Sequence, residues 1–191
     1  MKLLLTGDSI IARKEGLKEP RLDYTLKRKN SNIETINTAV PGINSGAFFA
    51  LISDLVLKID HCDKLILLLG TNDLALHKKV PLEQFKQNMA LIISSIVCLY
   101  YPNNVIMISP PAVDEHKQEK RTNNDVAAYT AELEQVANNY KIHFINLFEK
   151  MVKQGSLTTL CQGQLDDGLH FGAAGYELLA DLIIKELNNN S

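Results

Sequence analysis

Leu65-Ile66-Leu67-Leu68-Leu69-Gly70-Thr71-Asn72-Asp73 is the stretch that decides the fold. Five apolar residues follow one another without alternation and stop at a glycine. A strand with one wet face alternates apolar and polar side chains. A strand apolar at every position is covered on both faces, as in the middle of a parallel sheet. Leu3–Leu5, ending at Thr6-Gly7, and Val105–Ile108, ending at Ser109-Pro110-Pro111, repeat the pattern. Two weaker runs, Ile33–Ala39 before Pro41-Gly42 and Ile142–Leu147 before a polar stretch, bring the strand-length segments to five.

The intervals between these runs have helical spacing. Ser45–Ile59 carries Phe48, Leu51, Ile52, Leu55 and Ile59 on one stripe. Pro81–Tyr100 opens with proline and an acid, a helix start, and carries Phe85, Met89, Ile92, Ile93 and Ile96. Asn124–Tyr140 and Ala173–Leu187 read the same way, and Arg21–Arg28 is a shorter segment of this kind. The order βαβαβαβαβα predicts an open parallel sheet with helices on both faces and right-handed crossovers. No repeat or linker divides residues 1–191, so one domain is expected, with Asn188–Ser191 a frayed polar tail. Pro110–Asn123 shows no periodicity. Its charged run Asp114–Arg121 reads as a solvated surface loop, with a loop rimming a site as the functional alternative.

Composition narrows the function. The 191 residues are 46% hydrophobic and 22% charged, ordinary for a protein with a sizeable core. Twenty basic against 22 acidic residues give a net charge of −2, with no basic excess for a phosphate backbone, so no nucleic-acid partner is expected. Three widely spaced cysteines, Cys62, Cys98 and Cys161, give neither a disulfide framework nor a metal pattern and fit free thiols in a reducing compartment. The start Met1–Asp8 reaches a turn and an acid too early for a secretory leader, and no run approaches the roughly 20 apolar residues of a membrane span. A cytoplasmic protein without a membrane partner is the expectation.

Ligands of an open parallel sheet bind beyond the carboxyl ends of the strands. The residues there are Gly7-Asp8-Ser9, Pro41-Gly42-Ile43-Asn44, Gly70-Thr71-Asn72-Asp73 and, farther on, Asp166-Asp167-Gly168-Leu169-His170. Acyl transfer needs a nucleophile, a base, a group that orients the base, and donors for the developing oxyanion. Ser9 can attack once an imidazole takes its proton. His170 supplies an imidazole, and Asp167 lies three residues before it across a glycine that can turn the carboxylate back. Asp166 competes with Asp167 for that role. The Asn72 amide, the Gly42 N–H and the Ser9 N–H make three candidate oxyanion donors, with Gly46 the rival of Gly42.

These four blocks, in this order, resemble the SGNH hydrolases, also called the GDSL esterase/lipase family. The resemblance runs from the first strand to the start of the last helix. It departs at Ile10, where the family name has leucine, a position of apolar packing. It implies a three-layer α/β/α sandwich of flavodoxin-like type with a five-stranded parallel sheet. It also implies a serine esterase acting on short-chain or acetyl esters, carbohydrate esters among them. Ser9, His170 and Asp167 would form the triad, and Ser9, Gly42 and Asn72 the oxyanion hole. The partner is then a small-molecule ester, and no cofactor is implied. The alternatives are an acyltransferase using the same site, with Pro110–Asn123 its candidate lid, or a non-catalytic anion-binding module. The G-x-S-x-G elbow of the ordinary α/β-hydrolases is absent.

Other polar residues read as structural. Asp8 and Asp73 would hold turns, and Arg13, Lys14 and Glu15 would form a solvated face. Cys161 would pack or lie at the surface. His61, His77, His116 and His143 stand apart from any second ligand at metal spacing, so no metal site is expected.

Overall fold

The computed structural model describes residues 1–189. Its parallel sheet consists of β1 (Lys2–Gly7), β2 (Glu34–Asn37), β3 (Lys64–Leu68), β4 (Val105–Ile108) and β5 (His143–Ile145). The strand order is β2-β1-β3-β4-β5, the flavodoxin-like order, with the chain reversing its direction of travel between β1 and β3. Residues Leu3 to Gly7 pair with Lys64 to Leu68 across that central seam.

The apolar runs divide by parity. Leu4, Leu65, Leu67, Val105 and Met107 face one core with α3 (Ser45–Ile52), α4 (Leu82–Ile96) and α5 (Asn123–Tyr140). Leu3, Leu5, Ile66, Leu68, Ile106 and Ile108 face the other. There they meet α2 (Arg21–Lys29), α6 (Leu147–Gln154), α7 (Leu157–Leu160) and α8 (Ala173–Asn189). The remaining helix, α1 (Ser9–Ala12), is a single turn at the exit of β1. The unbroken apolar run Leu65–Leu68 of β3 is therefore two apolar faces interleaved, and the sandwich has the expected three layers.

Four expectations change. The predicted helix Ser45–Ile59 is α-helical only to Ile52 and continues as a wider π turn over Ser53–Leu57. The Thr38 hydroxyl donates to the Leu55 carbonyl at 2.8 Å, giving it a partner outside the regular ladder. The last strand run is shorter than predicted, because Leu147 begins α6. Asn146 caps that helix by accepting from Glu149 N–H at 2.9 Å, and Gly155 ends it in the left-handed region. The pattern Asn146-x-x-Glu149 is a capping signal that could have located it. In the polar tail, Asn188 and Asn189 are the last turn of α8; Asn190 and Ser191 lie outside the described residues. Glu15 is buried, contrary to the solvated face expected, and binds both Arg13 and the Gln164 N–H. No helix among the described residues is long and apolar enough to cross a membrane.

Candidate active site

Gly7 ends β1 with φ 139°. A Cβ at this position would stand 1.9 Å from the Leu68 carbonyl oxygen, so only glycine lets the chain turn this close to β3. Asp8 N–H donates to that same oxygen at 3.2 Å. The Asp8 carboxylate accepts from Ile10 N–H at 2.9 Å and so caps α1, the structural role expected of it. Ser9 is then the first residue of a helical turn rather than its cap. Its side chain lies at the mouth of the seam between β1 and β3, where strand order reverses.

His170 approaches from the opposite end of the sequence. Its Nε2 lies 2.9 Å from Ser9 Oγ, and its Nδ1 lies 2.8 Å from Asp167 Oδ2. An ionised carboxylate only accepts, so Nδ1 carries the hydrogen. In the neutral ring the Nε2 lone pair is then free to accept from the Ser9 hydroxyl. Asp167 Oδ1 meanwhile accepts the backbone N–H groups of Leu169 and His170 at 3.1 and 3.0 Å. Burial, the largest influence on this carboxyl, pushes its pKa up. The His170 ring and backbone bonds, the His170 charge and the Leu169 N–H outweigh it, and the net pKa lies well below the usual carboxylate range. Asp166, the rival, is exposed and bonds Lys117 instead. Gly168 between them has φ 70°, and a Cβ there would meet the Asp114 carbonyl at 2.6 Å. The turn that presents Asp167 and His170 is thus pressed against the 110–123 loop.

Asn72 leaves β3 almost buried, and its amide donates to the Ile43 carbonyl at 2.9 Å. That bond uses one of two amide hydrogens. It also fixes the third block to the second. Asp73 strengthens the link by accepting from Ser45 N–H at 3.0 Å and Ser45 Oγ–H at 2.5 Å, the structural role expected of it. Gly42 sits in the exposed turn after β2, tied to the β1 exit by Val40 N–H donating to the Gly7 carbonyl at 2.9 Å. Gly46 lies in the first turn of α3, facing Asn44 and Asn88.

Ser9, Asn72, Asp167 and His170 line one cavity of about 340 Å³. Gly42 and Gly46 are outside its lining. The opposite wall is Lys117–Arg121 with His77, and Leu169 is the one apolar lining residue. The charged run is therefore not simply solvated. Gln118 and Arg121 are buried, while Glu115, His116, Lys117, Glu119 and Lys120 are exposed. Gln118 Nε2 donates to the Asp167 carbonyl at 3.1 Å, and Arg121 Nε donates to the Thr71 carbonyl at 2.6 Å. Sequence reasoning missed both, because burial inside a hydrophilic run leaves no periodic signal. Cys161 is also buried, which pushes its thiol up to about 12 and keeps it un-ionised.

Asp8 is fully buried beside this cluster. Burial raises its carboxyl to about 6. The nearby Thr71 hydroxyl, the Ile10 N–H and the His170 charge act the other way, though Oδ2 makes no full hydrogen bond. A carboxyl raised above its ordinary 3.8 holds its proton more tightly in the folded state. Stability therefore falls as pH rises from about 4 to about 6. At pH 7 that difference is about 3 kcal/mol. Asp8→Asn keeps the acceptor for Ile10 and removes the charge. It should raise unfolding free energy by up to that amount at pH 7 and by little near pH 4. Urea unfolding at both pH values checks this, and a variant destabilised at both would contradict it.

Residues 5–178 match the model of the GDSL-like Lipase/Acylhydrolase family. The isoamyl acetate-hydrolyzing esterase of Saccharomyces cerevisiae is 27% identical, over 96% of this chain and 84% of its own length. A lipase/acylhydrolase from Enterococcus faecalis superposes with a TM-score of 0.85 at 27% identity, covering 98% of this chain and 95% of that one. Axe2, an acetylxylan esterase from Geobacillus stearothermophilus, shares the fold with a TM-score of 0.77 at 17% identity, covering 97% and 93%. A family model that spans nearly the whole chain, together with an esterase relative aligned along its length, makes this protein a member of the GDSL-like lipase/acylhydrolase family and a carboxylic-ester hydrolase.

Proposed function

We propose that the protein hydrolyses short-chain esters, acetyl esters above all, through Ser9 as nucleophile, His170 as general base and Asp167 as its orienting acid. One observation carries the reading: the hydrogen-bonded series Ser9–His170–Asp167 opens into a cavity at the strand-order reversal. Ser9 Oγ forms a bond to the ester carbonyl carbon as its proton passes to His170 Nε2. The oxyanion is met by Ser9 N–H and by the second hydrogen of the Asn72 amide; Gly42, outside the cavity lining, is left out of the hole. Collapse breaks the bond to the alcohol, which leaves with the proton from Nε2. A water, deprotonated by the same nitrogen, then attacks the acyl-serine, releasing the acid and restoring the Ser9 hydroxyl.

The substrate class follows from the walls. A small cavity lined by polar and charged residues apart from Leu169 suits a short acyl group on a polar alcohol better than a lipid chain. The yeast relative and the Geobacillus neighbour are both named for acetate esters, the second for a carbohydrate ester. Free cysteines at 62, 98 and 161 fit the reducing cytoplasm as the compartment.

A fluorophosphonate probe tests the nucleophile. Labelling should map to Ser9 by peptide mass spectrometry, and a folded, unlabelled protein would count against the reading. Asn72→Ala should lower kcat on an acetyl ester by about 10²–10³, the usual loss for one oxyanion donor. A change confined to KM would remove Asn72 from that role.

A further inference from the structure

Arg121 lines the cavity beside Ser9, Asn72 and His170. The residue is only 8% exposed, and its Nε is committed to the Thr71 carbonyl at 2.6 Å. Among the described residues no protein group accepts from its Nη1 or Nη2, and no carboxylate lies within ion-pair distance. Burial lowers its pKa, and the charges of Asp8 and Asp167 pull it back up without contact. A guanidinium stays protonated in such a setting. Neither Nη is among the buried polar atoms left without a partner, so the four Nη–H donors face the cavity, where a ligand can take them. These donors belong to a residue that lines the same cavity as Ser9 and His170.

The charge of the wall narrows the choice of ligand. Lys117 is paired with Asp166, and Glu119 offsets Lys120, so among the described residues Arg121 is the cation of the wall that no carboxylate contacts. A planar fork of N–H donors matches the two oxygens of a carboxylate. One guanidinium without a contacting carboxylate suits a monoanion better than a phosphate dianion.

We propose that Arg121 is a specificity residue that binds a carboxylate carried by the ester substrate, on its alcohol or its acid side. This rests on the reading of Ser9 as nucleophile and names the substrate that the site prefers. The same Nε bond gives Arg121 a second duty, fixing the Thr71 carbonyl beside Asn72, so the test must separate recognition from support.

The test compares kcat/KM for 4-acetoxybenzoate with its neutral methyl ester, and for the phenyl monoester of succinate with its methyl-capped form. The first pair places the carboxylate on the alcohol and the second on the acid. The wild type should prefer the charged member of one pair by at least tenfold. Arg121→Gln should cut that preference at least tenfold through KM, and Arg121→Lys should restore part of it. A preference absent from both pairs, or unchanged in Arg121→Gln, would overturn the proposal and leave Arg121 with its supporting role alone. Should Arg121→Gln fold poorly, binding to unmutated Arg121 decides. Calorimetry on Ser9→Ala should show the carboxylate product of the preferred pair binding at least tenfold tighter than its primary amide. Equal binding would overturn the proposal without bearing on the nucleophile. Full turnover by Ser9→Ala would refute the nucleophile without bearing on Arg121.

Discussion

Ser9→Ala should lower kcat on a short-chain acetyl ester by about 10⁶ and leave the fold intact. That is the scale on which a serine nucleophile acts together with its base. Among the described residues the Ser9 side chain bonds the His170 ring alone, and Asp8 rather than Ser9 caps α1. Removing the oxygen therefore takes away the attacking atom without taking a bond from the scaffold. In the proposed mechanism hydroxyl and imidazole act as a unit, so the double variant Ser9→Ala/His170→Ala should be hardly slower than either single one. Initial rates with p-nitrophenyl acetate, and thermal unfolding on the same samples, provide the check. Losses that multiply would mean that the two residues act independently.

Asp167→Asn should lower kcat by about 10⁴ with a small change in KM. The reason is a tautomer. Asn Oδ1 can still accept from Leu169 and His170 N–H, so the turn survives. Its NH₂ then points at Nδ1 where the carboxylate did. Nδ1 must accept, the ring hydrogen moves to Nε2, and Nε2 can no longer take the Ser9 proton. The same carboxylate affects stability in a defined sense. Its folded pKa is depressed, so its contribution is present above its unfolded value near pH 4 and is lost as pH falls below that. Asp167→Asn should lack that part of the acid sensitivity. A variant with the wild-type kcat would remove Asp167 from the proposed mechanism.

The sheet was readable because its determinants are local. Leu65–Leu69 is strand-length, apolar without alternation and stopped by Gly70, the pattern of a strand covered on both faces, and β3 occupies Lys64–Leu68. The residues that meet at the β1 and β3 exits were readable for a related reason. Ser9 and Asn72 lie close to the exits of β1 and β3, and Asp167 and His170 lie in the loop that leads into α8, at the same end of the sheet. What escaped depends on distant partners. The π turn at Ser53–Leu57 is linked to Thr38 on another segment. Glu15 is buried because Arg13 and the Gln164 N–H reach it from two sides. Gln118 and Arg121 look like their exposed neighbours until the Asp167 and Thr71 carbonyls are placed against them. The helix at Leu147–Gln154 is the exception, since its cap was visible and was read as the end of a strand.

Tyr176 on α8 donates its hydroxyl to the Ile10 carbonyl at 3.0 Å, and its ring packs edge-on against Phe171. The first turn after β1 is thus secured by a residue 166 positions later. A nascent polypeptide stalled on the ribosome before His170 has emerged would hold Ser9 with neither imidazole nor anchor. Hydrolytic competence should then appear abruptly during synthesis rather than grow with length, making acetyl-ester cleavage by stalled chains a direct clock for the docking of α8.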